Sequence, residues 1–507
     1  MRKHFYLLLS TCFLLLYAVT AQRGVNWQDS GEFHYRVLVH DYSWVSGIAI
    51  AHPAYIVSAD LFSSLFPDAC RFYAINLFSG LGMVLALILL ARLLTLFRLK
   101  TSTVILTVLT LGLSHMAWWL STIAEVYTWS LAFLMAELLC VAQLCVRNSE
   151  GGHQEKLPPQ APKDIVLWLL LALLNGLHAS FHNFAFLNLP VYAVLFAYLQ
   201  WRRSLLQSIA LLLLTACAWF LGACLLVALF FLEWSVTHSF MATLKSLLFS
   251  HEFESVVTGA RAINWSLAKM NLALAIISFV SPAWLFVCFA GRTRRTYSCL
   301  KLTLLGLTAI HGLFWIRYFV PDQVTFLLPT LGLLAIWAGI GLDSLTLGRK
   351  QLVVLGTAIL LCAITTPLLL NNILLVKQGG VKRVRELPFR NESSYWLYPW
   401  KQNERSAALF VEEARKLLKE GDLLIADNTA AGPLMAAQAA GLLTPNIRII
   451  TFFTGETEAE LLSLVEKKER VYIVSPVAGY ASPALLTGRF QFEKEGVLYR
   501  IRKVRHD

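Results

Sequence analysis

Charge is what this sequence has little of. Only 15% of its 507 residues are Asp, Glu, Lys or Arg, against 57% hydrophobic ones, and mean hydropathy is +0.61. A soluble chain of this size needs far more charge to cover its surface, so a soluble enzyme is excluded. The formal net charge of +12 does not point to nucleic acid either. No basic patch lies in a polar region rich enough to use it. Lys and Arg fall between apolar runs, as they do on the cytoplasmic loops of membrane proteins. Cysteine patterning is also missing. The nine Cys, at 12, 70, 140, 145, 217, 224, 288, 299 and 362, lie mostly in apolar runs, where Cys is a small hydrophobe. There is no CxxC, no zinc spacing and no disulfide framework. The polar C-terminal part has no Gly-rich phosphate fingerprint, so it carries no nucleotide signature.

What is present is a series of apolar runs, each near the ~20 residues that span hydrocarbon. The first, "HFYLLLSTCFLLLYAVTA", reads as an uncleaved helix with Arg2 and Lys3 holding the N-terminus in the cytoplasm. Runs follow over 71–96, 101–121 and 125–146. Two more meet near "HASFHN", and others cover 204–232, the stretch before "GRTRR", the stretch after Lys301, 324–346 and 351–376. That makes a polytopic α-helical protein of about 11 transmembrane helices. Under simple alternation Arg98 with Lys100, Arg147, Arg202 with Arg203, "GRTRR", and Arg349 with Lys350 all fall inside, as the positive-inside rule requires. The odd count sends the C-terminus outside. The expected division is a transmembrane domain over 1–376, with an external loop at 22–70, and a small extracytoplasmic α/β domain over 377–507. In that last part "RSAALFVEEARKLLKE" and "AELLSLVEKKE" have helical periodicity, and "DLLIAD", "NIRIITFF" and "RVYIVSP" read as strands. "RFQFEKEGVLYRIRKV" reads as a hairpin.

The topology sorts the polar residues by side. The first external loop opens "GVNWQDSGEFHYR" and carries Asp29 and Glu32, then His34, His40, Asp41 and His52. Glu125 and Tyr127 start a helix outside. His178 and His182 lie near the outer end of another pair, and Arg317, Tyr318 and Asp322 between two more. Ionisable groups at one depth on one face are expensive and point to function. Each has a plainer reading beside it. Glu125 suits a helix N-terminus, the two His suit a packed pair, and Asp322 suits a helix cap. The chemistry that fits best is sugar transfer from a lipid-linked phosphate. The acceptor hydroxyl needs a general base, for which a carboxylate serves, and the departing phosphate needs a cation, His or metal beside it. Asp29 and Glu32 would be the base and a helper that orients the acceptor or binds a metal. Arg261, in the outer segment 233–265, is either a phosphate partner or a headgroup anchor. The acids and His permit a divalent metal, but transfer from a monophosphate lipid does not require one. The partners expected are a polyprenyl-phosphate-linked sugar donor, a protein, glycan or lipid acceptor, and membrane lipids. The other readings are a transporter or flippase, and a non-catalytic partner in envelope polysaccharide assembly. A transporter would carry midplane polar groups in repeated halves, and no internal repeat is visible.

A family resemblance rests on "QDSGEF", "AHPAY", "AEVYTWSLAF", "GLHASFHNFAFLNLP" and "RYFVPDQVTFLLP" in this order, over roughly 24–345. It extends into "YPWKQNERSAALF" and "LLIADNTAAGPLMAAQ". The chain resembles a membrane family long catalogued as a domain of unknown function and related to the vertebrate transmembrane protein O-mannosyltransferase. Both are similar to GT-C glycosyltransferases, which use polyprenyl-phosphate sugars and carry an acidic motif in the first external loop. The resemblance implies Asp29 as catalytic base with Glu32 beside it, and site positions at His52, Glu125, Tyr318 and Asp322. The chain departs from the family at "HPAYIV", where the usual turn resembles "HPPGYP": the second Pro and the Gly are missing, which puts the geometry of the "AHP" segment, and the substrate with it, in question. The compact length favours a bacterial inner membrane, with the C-terminal part periplasmic.

Overall fold

The computed structural model describes residues 3–43, 47–150, 162–201, 203–250, 265–292, 298–318, 320, 322–378, 387–451 and 457–503. Helix α1 (Lys3–Thr20) leads through a turn into α2 (Gln28–Leu38), α3 (Pro53–Ser63) and the long α4 (Arg71–Leu96). Then come α5 (Thr101–Gly112), α6 (His115–Leu120), α7 (Tyr127–Glu150), α8 (Pro162–Phe181) and α9 (Ala185–Gln200). They are followed by α10 (Leu205–Gly222), α11 (Cys224–Thr237), α12 (Phe240–Phe249) and α13 (Trp265–Ser278). Helices α14 (Ser298–Arg317), α15 (Leu327–Asp343) and α16 (Arg349–Gln378) complete the bundle.

The chain is an integral membrane protein, and several of the roughly eleven apolar runs expected from hydropathy are shortened or broken. Among the described residues seven helices are long and apolar enough to cross a membrane, and a pair bent by 84° makes up to eight. The run 101–121 breaks into α5 and α6 at Ser114, whose hydroxyl donates to the Leu111 carbonyl at 2.7 Å, a local bond that competes with the helix ladder. The run 204–232 breaks at Ala223 into α10 and α11. The bent pair turns just before Pro282, which has no N–H to give. Helices α1 and α9 are themselves short. Hydropathy sees an apolar run in each case and not the break inside it.

Helix α1 lies antiparallel to α4: Tyr73 donates to the Ala18 carbonyl at 3.0 Å, and Tyr6 meets Thr95 at 3.4 Å at the other end. That second end also holds Arg92, over the Tyr6 ring, and just beyond it lies Lys100, whose N–H donates to Asp343 at 2.8 Å. Helices α8 and α10 cross with backbones nearly touching. A Cβ on Gly176 would lie 2.1 Å from the Trp219 carbonyl oxygen, and one on Gly222 2.1 Å from that of Leu173. Small residues at a crossing are how membrane helices gain packing where no hydrophobic effect separates them from lipid.

The C-terminal part contains α17 (Glu392–Leu397), α18 (Ser406–Leu417), β1 (Leu423–Ile425), α19 (Asn428–Ala439) and β2 (Arg448–Ile450). Then follow α20 (Glu458–Lys467), β3 (Val471–Ile473), β4 (Phe490–Glu495) and β5 (Leu498–Lys503). The sheet order is β2-β1-β3-β5-β4. Strand β1 pairs parallel with β2 and β3, as helical crossovers demand, and β5 pairs antiparallel with β3 and β4. Each strand and helix expected here is present, and α17 and α19 are additions. Side chains fasten this part to the bundle: Thr122 donates to the Pro399 carbonyl at 2.8 Å, and Trp27 donates to Ser406 at 2.7 Å. The Lys401 N–H reaches the Thr20 carbonyl at 2.7 Å.

Candidate active site

Helix α2 is the element that builds the site. Asp29, Glu32 and Arg36 follow one another at three and four residues, so they share a face. Arg36 is fully buried and lies 4.0 Å from Glu32. Its guanidinium also donates to the Ile50 carbonyl at 3.4 Å and to the Ala51 carbonyl. It thereby holds the backbone just before His52. His52 has φ 46° and ψ 48°, and Pro53 opens α3 behind it. A left-handed residue before proline is strained by roughly 1–3 kcal/mol. The turn flagged by the altered "HPAYIV" stretch is therefore unusual, and Arg36 is one of its supports.

These segments meet at a cavity of 440 Å³. Asp29, Glu32, His52, Glu125, Tyr127, His182, Tyr318 and Asp322 all line it. Four carboxylates from three separate stretches thus share one space, and no Lys or Arg lines it among the described residues. The acids differ in setting. Asp29 is open to the cavity, whereas Glu125 is 7% exposed and accepts from the Ser30 hydroxyl at 3.1 Å. Ser79 exchanges two 2.8 Å bonds with the Glu125 backbone. Aromatic rings form one wall: Tyr318 stacks on Phe314 at 5.1 Å, and Tyr127 packs on Phe326 at 5.7 Å and on His182 at 5.1 Å.

The electrostatics follow from this crowding. Surrounding protein raises the Asp29 pKa. Burial, then the charges of Asp29 and Asp322, push Glu125 well above the usual carboxylate range. Burial, then the charge of Asp29, push Asp322 up to about 7. Like charges this close do not all ionise together, so the group holds a proton near neutrality and can lend one site as a base. A testable consequence concerns stability. An acid whose pKa rises on folding binds its proton more tightly when folded. Its contribution is full below the ordinary value of 3.8 and is lost as pH rises through about 7. Asp322→Asn, neutral throughout, should therefore melt higher than the wild type at pH 8, by roughly 1–2 kcal/mol after allowance for water in the cavity. The gap should close towards pH 5. Melting curves of the detergent-solubilised protein across this range check it, and a gap that widens on acidification would contradict the arrangement.

Two expected site residues are not brought to the cavity, and a third lies outside the described residues. His178 is four residues from His182 but faces the bundle interior. Its Nδ1 lies 2.8 Å from Glu137, its Nε2 2.7 Å from the Ser130 hydroxyl, and its ring stacks on Phe133. Glu137 also accepts from Asn175, Asn188 and Tyr192. This is a satisfied buried network, the packed alternative for that His. Arg317 is exposed at the end of α14, away from the cavity lining. Arg261 lies outside the described residues. Conversely, Arg36, Asn428, Thr429 and Tyr480 belong to the site or its support and were not singled out. Arg36 was legible from its spacing after Glu32. Asn428 and Thr429 arrive because α19 packs on α2. A Cβ on Gly31 would lie 2.9 Å from Gly432, and one on Gly432 2.6 Å from the Gln28 carbonyl oxygen. Among the described residues no group of three or more His, Cys, Asp or Glu is arranged to hold a metal ion.

No family model matches the sequence, and no curated protein does. Solved structures do match in fold. The chain is similar to ArnT from Cupriavidus metallidurans bound to undecaprenyl phosphate, at 12% identity over 100% of this chain and 99% of that one, with a TM-score of 0.60. It is similar to the oligosaccharyltransferase of Archaeoglobus fulgidus in the apo form, at 12% identity over 94% of this chain and 70% of that one, TM-score 0.53. AglB, the same organism's oligosaccharyltransferase in complex with an inhibitory peptide and a dolichol-phosphate, aligns at 10% identity over 93% and 69%, TM-score 0.51. At these identities the likeness shows the fold alone: a membrane helix bundle with a small C-terminal sheet, as expected from the sequence.

Proposed function

We propose that this GT-C-fold membrane protein is an inverting glycosyltransferase that moves a sugar from a polyprenyl-phosphate donor to a hydroxyl acceptor at the outer membrane face. The observation that carries the reading is the meeting of Asp29, Glu32, Glu125 and Asp322 with two His and three Tyr around one cavity. Asp29, open to that cavity, takes the acceptor proton as general base. Glu32, tied back towards Arg36, orients the acceptor. Asp322 and Glu125 hold the shared proton and keep Asp29 poised. The aromatic wall offers apolar faces to a sugar ring. The fold of a protein bound to undecaprenyl phosphate and of one bound to dolichol-phosphate supports a lipid-phosphate donor. The acceptor's class, protein Ser/Thr, glycan or lipid, is left to the assay.

That assay gives the purified protein undecaprenyl phosphate linked to a tritiated hexose, with a membrane extract as acceptor. Label is expected to pass into the extract, and protease digestion or lipid extraction then assigns the acceptor class. Retention of all label on the lipid across mannose, glucose and N-acetylglucosamine donors would remove the proposal and leave a flippase or an assembly partner.

A further inference from the structure

Two rings in the cavity wall have their hydrogen-bonding roles fixed by the backbone. His52 and His182 stack with centroids 5.0 Å apart and planes 17° off parallel. His52 Nδ1 lies 3.0 Å from the Phe181 carbonyl oxygen. A carbonyl only accepts, so Nδ1 carries the proton and Nε2 remains an acceptor. His182 Nδ1 accepts the Phe184 N–H at 3.0 Å, so in the neutral ring Nε2 carries the proton and remains a donor. Burial, then the neighbouring His52, His178 and His311, hold the His182 pKa well below its ordinary value, and the ring stays neutral. Both residues line the cavity that holds Asp29. The His52 backbone is strained, and the Phe181 bond, the stack on His182 and Arg36 behind Ala51 all support it. Strain that is so thoroughly supported marks a geometry the site requires rather than a gap filled.

We infer that this stacked pair reads the hydroxyls of the sugar entering the cavity. His182 Nε2–H donates to one hydroxyl oxygen, and His52 Nε2 accepts the proton of the same or an adjacent hydroxyl. The inference deepens the transferase reading and rests on it for the presence of a sugar. A neutral donor beside a neutral acceptor matches a polyol, which offers both functions at each hydroxyl. It does not match a phosphate, which wants donors and positive charge. The pair thus recognises the sugar and leaves the lipid phosphate to other groups.

Asparagine separates the two roles of each ring. In His52→Asn the amide N–H can still serve the Phe181 carbonyl, and asparagine tolerates left-handed backbone, but the distal acceptor is gone. In His182→Asn the amide oxygen can still accept the Phe184 N–H, but the distal donor is gone. The experiment titrates the full chain in detergent with bare undecaprenyl phosphate and, separately, with undecaprenyl phosphate carrying mannose, glucose or N-acetylglucosamine. Wild type is expected to bind at least one sugar-bearing lipid about tenfold tighter than the bare lipid. Each variant should cut that ratio about five- to tenfold and change bare-lipid affinity by less than about twofold. A wild type without sugar preference, variants that keep the ratio, or variants that weaken both lipids equally would each overturn the inference. The ratio needs no turnover. A ratio that falls in the variants of a protein that never transfers label keeps the sugar wall and removes the transferase. Label transfer with an unchanged ratio does the reverse.

Discussion

Asp29→Asn should abolish sugar transfer, by roughly a thousandfold or more, without unfolding the protein. Removing a general base costs about 10²–10⁴ in rate, and Asp29 is the cavity carboxylate open to an incoming hydroxyl. The sign of the stability change separates chemistry from damage. The charge of Asp29 raises the pKa of both Asp322 and Glu125, so its removal relieves repulsion. The variant should melt at or above the wild-type temperature near pH 8. Loss of transfer with unchanged or higher stability assigns the base. Transfer at the wild-type rate would move the base to Glu32 or Asp322, which line the same cavity.

Gly31→Ala should be nearly as severe, for a mechanical reason. A Cβ on Gly31 would lie 2.2 Å from the Asn26 carbonyl oxygen and 2.9 Å from both Gly432 and Pro433 backbone atoms. The contact is reciprocal, since a Cβ on Gly432 would lie 2.8 Å from the Glu32 nitrogen. All these neighbours are backbone and cannot swing aside, so α2 and α19 must part. Overpacking of this kind costs about 1–3 kcal/mol. The catalytic cost is larger than that suggests, because Asp29 and Glu32 flank the glycine. A displacement near 1 Å is worth about 10²-fold in rate. We expect Gly31→Ala and Gly432→Ala each to lower the melting temperature and to cut transfer by about two orders of magnitude. Either variant with wild-type transfer would show that the α2–α19 contact does not set the geometry of the acids.

That contact also marks where the sequence stopped being readable. A glycine between two acids suggests a flexible loop. Its actual use is a close approach to a helix four hundred residues later, which no local pattern encodes. The α/β elements were legible because each strand and amphipathic helix carries its own period. The cavity was legible in outline because alternation of the helices brings Asp29, Glu125, His182 and Asp322 to one end. It misled at His178, since spacing of four places two rings on one face and cannot say that Glu137 will turn one of them inward. It missed Asn428 and Thr429, which reach the cavity only through tertiary packing. Broken spans were missed for the opposite reason: residues around Ser114, Ala223 and Pro282 remain apolar enough to hide a kink.

The central claim is that the cavity breaks a sugar–phosphate bond rather than passing the lipid across the membrane. The measurement that tests it most directly uses proteoliposomes holding the wild-type protein and undecaprenyl phosphate linked to a tritiated sugar, with acceptor extract outside. With the wild type, tritium is expected to leave the lipid fraction while bare undecaprenyl phosphate accumulates in step; with Asp29→Asn neither should happen. Tritium that crosses the bilayer still attached to its lipid, at equal rates in both proteins, would contradict the claim.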